Sequence, residues 1–322
     1  MSGKPVILVG RKLPAAVEAR LMRDYEAILN PDDKLYTSEE IIEISERVDA
    51  ILPCHSEHLS ADVIGKLSDR VKAIANFSVG YDHVDIEAAK KRGIIVTNTP
   101  DVLSDATAEI AILLMLAAAR RASEGDRLVR SAGWKDWSPS FMVGTQVTGK
   151  RFGVIGMGRV GQVAARRARG FDMDIHYYNR KKLDPALEQG ATFHADVDDL
   201  LVHADFLSIH CPATDETRGL LNAERIAKMP EGAIVVNTSR GAVVDDEALI
   251  AALKSGKIAA AGLDVFNGEP ENIHPGYRAL DNVFLLPHIG SATRETRDGM
   301  GFRALDNLDA IFAGKEPKDR VA

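Results

Sequence analysis

The sequence predicts an α/β protein with two open parallel sheets, each covered by helices on both faces. Two observations support this prediction. Strand and helix patterns alternate from the first residues onward, which is the order that parallel sheets require. A second strand–turn–helix unit begins at Arg151, far beyond the first series. The chain of 322 residues, with 45% hydrophobic and 27% charged residues, is long enough for two such domains.

Short apolar runs bounded by turn residues predict the strands of the first sheet. These strands are expected at residues 6–9, 27–29, 50–52, 73–77 and 94–97. Helical patterns at residues 15–23, 38–47 and 85–91 stand between them. The first hundred residues therefore predict one open α/β domain.

A long helix and an irregular segment separate the two sheets. The helix is predicted from about Ser104 to Arg121, with Glu109 on an otherwise apolar face. Residues 131–147, here called the arm, follow it and carry both tryptophans, Trp134 and Trp137.

The second sheet is predicted from Arg151 onward, and a last helix returns to the first domain. Its later strands are expected at residues 174–179, 206–210, 233–237, 260–265 and 283–286. The last helix is expected over residues 293–312, with Ser291 as its N-cap. The chain should then cross between domains near Pro100 and Pro287. One domain is predicted at 1–100 plus 289–322 and the other at 101–288, with the long helix and arm at about 103–147.

The turn after the Arg151 strand reads Gly156-Met157-Gly158-Arg159-Val160-Gly161. In this pattern Gly156 permits a tight turn, Gly158 lets the backbone approach a pyrophosphate, and Gly161 lets helix and strand pack closely. The alternative is a merely tight turn. The strand before the glycines, the helix after them and the next strand favour dinucleotide binding.

The end of the strand at residues 174–179 bears on which dinucleotide is bound. NAD sites commonly place an acidic residue there for the ribose 2′-hydroxyl, and a 2′-phosphate favours cations. This chain has Asn179 followed by Arg180, Lys181 and Lys182. The pattern favours NADP(H), with NAD(H) still possible, because a guanidinium can bind a phosphate bidentately. The alternative is that these cations are solvated loop residues.

Charge and composition exclude several function classes. The net charge of −7 argues against a nucleic-acid surface, and no segment approaches the roughly 20 apolar residues of a membrane helix. The longest apolar run, residues 110–119, predicts a core helix. Cys54 and Cys211 match no metal spacing, so we expect no metal and two reduced thiols. With no export signal in the sequence, a cytoplasmic location is expected.

Three polar residues stand where apolar strands of the second sheet end, namely Arg240, Glu269 and His288. Open α/β sheets bind ligands at the carboxyl ends of their strands. Arg240 is placed to hold a substrate carboxylate and polarise a carbonyl. His288 is a suitable proton donor, and a carboxylate beside it would fix its tautomer. Each residue alone also has a structural interpretation, as a loop histidine, an ion-paired arginine or a turn.

The chain resembles the D-isomer-specific 2-hydroxyacid dehydrogenases over its whole length, and most closely their glycerate dehydrogenase and glyoxylate/hydroxypyruvate reductase branch. The matching segments, in chain order, are residues 78–85, 107–109, 156–161, 237–241, 264–270 and 287–293. The resemblance implies a Rossmann dinucleotide-binding domain inserted into a flavodoxin-like substrate-binding domain. It also implies NAD(P)H-dependent reduction of a small 2-oxo acid, glyoxylate or hydroxypyruvate, with Arg240, Glu269 and His288 as the catalytic set.

The resemblance also implies the remaining site residues. It places Asp264 at the nicotinamide carboxamide, with further cofactor contacts from Thr107, Arg159, Val160, Cys211, Pro212, Thr238 and Gly290, beside the glycine loop. The cofactor residues Asn179, Arg180 and Lys181 are predicted from the strand-end pattern itself. The resemblance places the substrate carboxylate at the backbone amides of Val79 and Gly80, in a pocket that also includes Leu52, Pro53, Arg240, Ser291 and Trp137. Asn179 departs from the NAD-linked members, which have an acid there, and this departure bears on NAD use rather than on the reaction.

Related enzymes form a twofold dimer through the long helix and the arm, so a homodimer is expected. Trp137 then either reaches the partner's site or packs in the interface. Two other functions remain open. One is a same-fold enzyme for formate, phosphite or a bulkier hydroxy acid, although Glu269 disfavours formate. The other is a dinucleotide-sensing binding protein similar to the corepressors of this family.

Overall fold

The computed structural model describes residues 3–322, and the chain packs as two units. Unit 1 contains the described residues up to Leu103 together with Ala292–Ala322, and unit 2 is Ser104–Ser291. The unit changes at residues 103 and 291 lie near the domain limits of 100 and 288 that the sequence predicts.

Strands and helices alternate through both units. The strands are β1 Val6–Val9, β2 Glu26–Ile28, β3 Ala50–Leu52, β4 Ala73–Ala75, β5 Ile95–Thr97, β6 Arg151–Ile155, β7 Asp174–Tyr178, β8 Thr192–His194, β9 Phe206–Ile209, β10 Ala233–Asn237, β11 Ile258–Leu263 and β12 Val283–Leu285. The helices are α1 Ala15–Asp24, α2 Ser38–Ser45, α3 Ala61–Lys66, α4 Ile86–Lys91, α5 Ser104–Ala119, α6 Ala122–Arg130, α7 Arg159–Arg169, α8 Pro185–Glu188, α9 Val197–Leu201, α10 Ala223–Lys228, α11 Asp246–Ser255, α12 Pro275–Arg278 and α13 Arg294–Phe312.

Unit 1 contains a five-stranded parallel sheet in the order β2-β1-β3-β4-β5. This is the flavodoxin-like strand order. Helix α13 adds Met300, Ala304, Leu305 and Leu308 to the core on one face of the sheet. At Gly301 a Cβ would lie 2.3 Å from the Val17 side chain, so α13 and α1 pack in close contact.

Unit 2 contains a seven-stranded parallel sheet in the order β12-β11-β10-β9-β6-β7-β8. Strand β6 lies between β7 and β9, so the direction of strand progression reverses there, as in Rossmann sheets. Two hydrophobic clusters cover the sheet, one with α9, α10 and α11 and the other with α5 and α7. The predicted fold class, two open parallel α/β sheets, is confirmed.

Two details of the sequence-based elements are wrong. The long helix ends at Ala119 rather than Arg121, because Arg121 has a left-handed φ of +54° and starts the separate helix α6. The N-cap of α13 is Thr293, not Ser291, since the Thr293 hydroxyl accepts the Thr296 N–H at 3.1 Å. Both errors concern element ends, where capping geometry outweighs hydrophobic pattern.

Other strand ends differ from the prediction by a few residues, and the edge strand β8 was not predicted. Within residues 3–322, the structure contains no helix that is both long and apolar enough to cross a membrane.

Candidate active site

The loop between β6 and α7 places the three glycines at the carboxyl edge of the unit 2 sheet. Gly156 has a φ of +92°, and a Cβ there would lie 2.7 Å from the backbone nitrogen of Cys211. A Cβ on Gly161 would lie 2.3 Å from the carbonyl oxygen of Gly156. A Cβ on Gly158 would meet no described atom within 4 Å. The backbone at the start of α7 can therefore be approached closely, as a pyrophosphate requires.

Asn179 follows β7 and is bound by the glycine loop itself. Its Oδ1 atom accepts a hydrogen bond of 2.7 Å from the backbone N–H of Met157. Arg180 and Lys181 follow and are exposed, whereas the Lys182 ammonium lies 3.8 Å from the Glu188 carboxylate. A neutral acceptor and two exposed cations thus lie beside the turn that would hold a dinucleotide.

His210 follows β9 and lies between two hydroxyl groups. Its Nε2 is 2.8 Å from Ser208 Oγ, and its Nδ1 is 3.1 Å from Thr238 Oγ1. Burial lowers the pKa of His210 to about 4, so the imidazole is neutral near neutral pH. Thr238 is a predicted cofactor residue and His210 is not, although the position of His210 directly after a buried strand could have indicated it.

Cys211 and Pro212 follow His210, and the Cys211 backbone lies beside Gly156 of the glycine turn. Burial raises the pKa of the Cys211 thiol to about 11, so this cysteine is not a thiolate near neutral pH. The carbonyl oxygen of Pro212 accepts a hydrogen bond of 2.6 Å from the Thr217 hydroxyl.

The pKa of His210 predicts a loss of stability in acid. Its folded value of about 4 is below the ordinary value of 6.5, so the unfolded chain takes up a proton first as the pH falls. The free energy of unfolding should therefore fall below about pH 6.5, by up to about 3 kcal/mol as the pH approaches about 4. Urea unfolding at several pH values measures this slope. His210→Asn should make it shallower, and an unchanged slope would contradict the assignment.

Asp264 follows β11, is 1% exposed, and holds the loop at residues 288–290. Its backbone oxygen accepts the His288 N–H, and its two carboxylate oxygens accept the N–H groups of Ile289 and Gly290, each at 2.8 Å. Burial raises the pKa of Asp264, and the hydrogen bond from Ile289 opposes that shift. The Thr107 hydroxyl donates to the Gly290 carbonyl oxygen at 3.2 Å. Three predicted cofactor residues, Thr107, Asp264 and Gly290, are thus in one cluster.

His288 and Glu269 form a direct pair. His288 Nδ1 lies 2.5 Å from Glu269 Oε1, and Glu269 Oε2 accepts the Phe266 N–H at 2.8 Å. His288 has a φ of +54°, which is uncommon for a residue with a side chain. The pair is partly exposed, with 32% of the His288 side chain and 23% of the Glu269 side chain accessible. Because Nδ1 faces Glu269, Nε2 is the nitrogen on the opposite side of the ring.

Arg240 follows β10 in a loop packed against the loop of Glu269. A Cβ on Gly241 would lie 2.0 Å from the backbone carbon of Phe266, so only glycine allows this approach. The Asn237 side chain donates to the Arg240 carbonyl oxygen at 3.0 Å, and Arg240 Nη1 donates to the Ser239 carbonyl oxygen at 2.8 Å. Unit 2 therefore holds Arg240, Glu269 and His288 on adjoining loops.

The remaining predicted residues fall into both units. In unit 1, Leu52 is fully buried at the end of β3. The loop at Val79 and Gly80 follows β4 and is half-buried; within residues 3–322, no backbone carbonyl oxygen accepts either N–H. In unit 2, Arg159 is exposed and Val160 half-buried at the start of α7. Ser291 is half-buried in the loop after His288. Trp137 lies in the arm and is 70% exposed.

This geometry suits acid–base chemistry on a small polar ligand. An imidazole is paired with a carboxylate, a guanidinium is on the adjoining loop, and a turn suited to a dinucleotide lies at the same sheet edge. Among residues 3–322 no cluster of three or more histidine, cysteine, aspartate or glutamate side chains could hold a metal ion.

Comparison with known proteins identifies several relatives. The family model for the D-isomer specific 2-hydroxyacid dehydrogenase, NAD binding domain, matches residues 112–290. The glycerate dehydrogenase of Hyphomicrobium methylovorum is 44% identical over 315 residues, which cover 97% of this chain and 98% of the relative. The glyoxylate reductase of Pyrococcus horikoshii is 44% identical over 323 residues, which cover 99% of this chain and 96% of the relative.

One solved structure is also similar to this chain over nearly its whole length. The crystal structure of the NADPH-dependent glyoxylate/hydroxypyruvate reductase from Sinorhizobium meliloti, in complex with NADP and malonate, is 33% identical with a TM-score of 0.87. The match covers 99% of this chain and 97% of that chain. The family predicted from the sequence motifs is confirmed: this chain belongs to the D-isomer specific 2-hydroxyacid dehydrogenases.

Proposed function

We propose that the protein reduces a small 2-oxo acid, glyoxylate or hydroxypyruvate, to the D-2-hydroxy acid with a reduced nicotinamide dinucleotide. The observation that carries this proposal is the pair formed by His288 and Glu269 on a loop adjoining that of Arg240, in the sheet that holds the glycine turn. Relatives named glycerate dehydrogenase and glyoxylate reductase support the substrate class.

The proposed roles follow from the position of each side chain. Arg240 holds the substrate carboxylate and the carbonyl oxygen through its guanidinium. His288 donates the proton from Nε2, and Glu269, bound to Nδ1, stabilises the imidazolium. When bound, the nicotinamide supplies the hydride that reduces the carbonyl carbon. In unit 1, Leu52 and the N–H groups of Val79 and Gly80 are proposed as substrate-binding groups.

The cofactor residues are proposed from the same cluster. The glycine loop with Arg159 and Val160 would hold the pyrophosphate, and the segment from Asn179 to Lys181 the ribose. Thr107, Cys211, Pro212, Thr238, Asp264 and Gly290 would border the nicotinamide half. This arrangement supports binding of a nicotinamide dinucleotide because the turn at Gly156 to Gly161 leaves the approach to α7 open.

The experiment that tests the function is the initial rate of loss of reduced cofactor with glyoxylate, run in parallel with NADPH and NADH. Turnover with either cofactor is expected, with NADPH faster. Absence of turnover with glyoxylate, hydroxypyruvate and larger 2-oxo acids, despite tight cofactor binding, would contradict the reductase proposal and favour a binding protein.

We further propose that NADP(H) is preferred over NAD(H). Asn179 presents no carboxylate, and Arg180 and Lys181 are exposed beside it, so a 2′-phosphate would meet two cations and no repulsion. The solved relative from Sinorhizobium meliloti, described as NADPH-dependent and in complex with NADP, supports this preference.

Asn179→Asp tests the preference with a nearly isosteric change. The aspartate would still accept the Met157 N–H, which Asn179 Oδ1 accepts at 2.7 Å, but it would repel a 2′-phosphate. We expect the ratio of kcat/KM for NADPH to that for NADH to fall by about 10- to 100-fold. Steady-state rates with both cofactors measure the ratio. Asn222→Asp, at the N-cap of α10, is the matched control, and an equal change there would contradict the proposed site.

We propose that the protein is a homodimer that uses α5 and the arm. Leu113 on α5 and Trp134, Trp137 and Val143 in the arm are exposed apolar side chains, which is typical of an interface. Trp137 would either reach the partner's substrate site or pack in the interface. A mass of one chain by light scattering would contradict the dimer. A cytoplasmic location is proposed as well, because both cysteines are free thiols.

A further inference from the structure

A chain of hydrogen bonds joins strands β7 and β8 at the edge of the unit 2 sheet. His176 Nδ1 on β7 lies 2.9 Å from His194 Nε2 on β8. The other nitrogen of each ring faces a carboxylate: His176 Nε2 is 3.0 Å from Asp174 Oδ2, and His194 Nδ1 is 2.7 Å from Asp199 Oδ2. We call these four side chains the edge clasp.

The two imidazoles of the edge clasp are buried and their carboxylates are not. The His176 and His194 side chains are 10% and 5% exposed, against 66% for Asp174 and 61% for Asp199. His203, after α9, stacks on His176 with ring centroids 5.3 Å apart and lies 5.3 Å from His194. Three imidazoles therefore pack together beside α9.

The number of protons that the three hydrogen bonds require sets the charge of the imidazole pair. Each ionised carboxylate only accepts hydrogen bonds, so His176 Nε2 and His194 Nδ1 must both carry a proton. The bond between the two rings needs one more proton. Three protons on two imidazoles make one imidazolium, whereas two neutral rings carry only two. All three hydrogen bonds therefore exist together only when the pair holds one positive charge.

Two members of the edge clasp have shifted pKa values. Burial lowers the pKa of His176, which favours its neutral form, and the hydrogen bond from His194 lowers the pKa of Asp199. Three nearby carboxylates have partners outside the edge clasp. Asp198 on α9 is bound by Arg225 and Lys228 of α10, and Asp205 is bound by Arg151 of β6. Asp196 caps α9 by accepting the Asp198 N–H.

We propose that the edge clasp links β7 to β8 through hydrogen bonds that depend on protonation. We call this link the tie. It is complete when the imidazole pair holds three protons, and it loses one hydrogen bond when the third proton leaves as the pH rises. Histidine is the side chain whose charge most often changes near neutral pH, so an imidazole pair can make such a link depend on pH. No metal ion or added ligand is involved in this step.

The position of the edge clasp gives it a functional consequence. His194 pairs in register with Tyr178, and Asn179, which accepts the Met157 N–H of the glycine loop, is the next residue. The segment that begins at Asn179 leads into strand β8. A looser β8 at higher pH should therefore weaken cofactor binding, a consequence that rests on the proposed cofactor site, whereas the tie itself does not.

Hydrogen exchange in the full-length protein tests the tie without cofactor. Protection of the amides of residues 192–194, corrected for intrinsic exchange, should fall about three- to tenfold between about pH 6 and about pH 8, the equivalent of one hydrogen bond. In Asp199→Asn the amide can donate to a neutral His194, so the fall should disappear. Glu247→Gln, which alters the exposed pair of Glu247 with His274, should behave like wild type.

Two results would overturn the proposal. One is protection of residues 192–194 that does not change with pH in the wild type. The other is a fall in Asp199→Asn as large as in the wild type. The cofactor consequence is measured separately, by the NADPH dissociation constant of both proteins over the same pH range. If exchange depends on pH but the wild-type and variant constants change in parallel, the tie stands and its link to the cofactor is refuted.

Discussion

Replacing His288 with asparagine is expected to lower kcat for glyoxylate reduction by about 10²- to 10⁴-fold, the usual contribution of a positioned general acid. The asparagine can occupy the loop but cannot transfer the proton. The backbone bonds from residues 288–290 to Asp264 do not involve the imidazole, so the loop should stay in place. Steady-state kinetics, with NADPH affinity measured by fluorescence, separates the two effects.

The matched control for this variant is His274→Asn. His274 also pairs with a carboxylate, that of Glu247 at 3.0 Å, but it precedes α12 and has no proposed catalytic role. Its substitution should leave kcat close to the wild-type value. Near wild-type turnover in His288→Asn, or an equal loss in both variants, would show that His288 is not the proton donor.

Replacing Arg240 with lysine is expected to lower kcat/KM for glyoxylate by roughly 100-fold. The planar guanidinium can bind carboxylate and carbonyl oxygens together, and an ammonium cannot reproduce that fork, so about one charge-assisted hydrogen bond is lost. NADPH affinity should change little, since no cofactor contact is proposed for Arg240. The measurement is kcat/KM with glyoxylate at saturating cofactor.

Arg278→Lys, on the exposed end of α12, is the control that keeps the same chemical change away from the site. Unchanged kcat and KM in Arg240→Lys would refute the proposed contact of Arg240 with substrate. A loss confined to thermal stability would instead assign Arg240 a structural role through its bond to the Ser239 carbonyl oxygen.

Much of the fold was predictable because buried parallel strands are short apolar runs. Strands such as β1 and β10 are buried over nearly all their residues, and their apolar runs in the sequence predict them directly. Strand β8 was missed since it is short, lies at the edge and contains His194. Helix α6 was not predicted, and none of its residues is buried.

The candidate site could be proposed from the sequence to the extent that its residues follow strands. Arg240, Glu269 and His288 could be named because the carboxyl ends of parallel strands meet at one edge. The hydrogen bonds of His210 could not be predicted, since they join it to hydroxyls at Ser208 and Thr238, the latter 28 residues away in the chain. The edge clasp was also hidden, because neither β8 nor its register with β7 was predicted.

The hydrogen bonds from residues 288–290 to Asp264 also affect the entropic cost of the proposed reaction. The N–H groups of His288, Ile289 and Gly290 are fixed by one buried residue, and Glu269 orients the imidazole from the side. The proposed proton donor therefore has little rotational freedom left to lose when a substrate arrives. The entropic cost of aligning it falls on the folding of unit 2 rather than on each turnover.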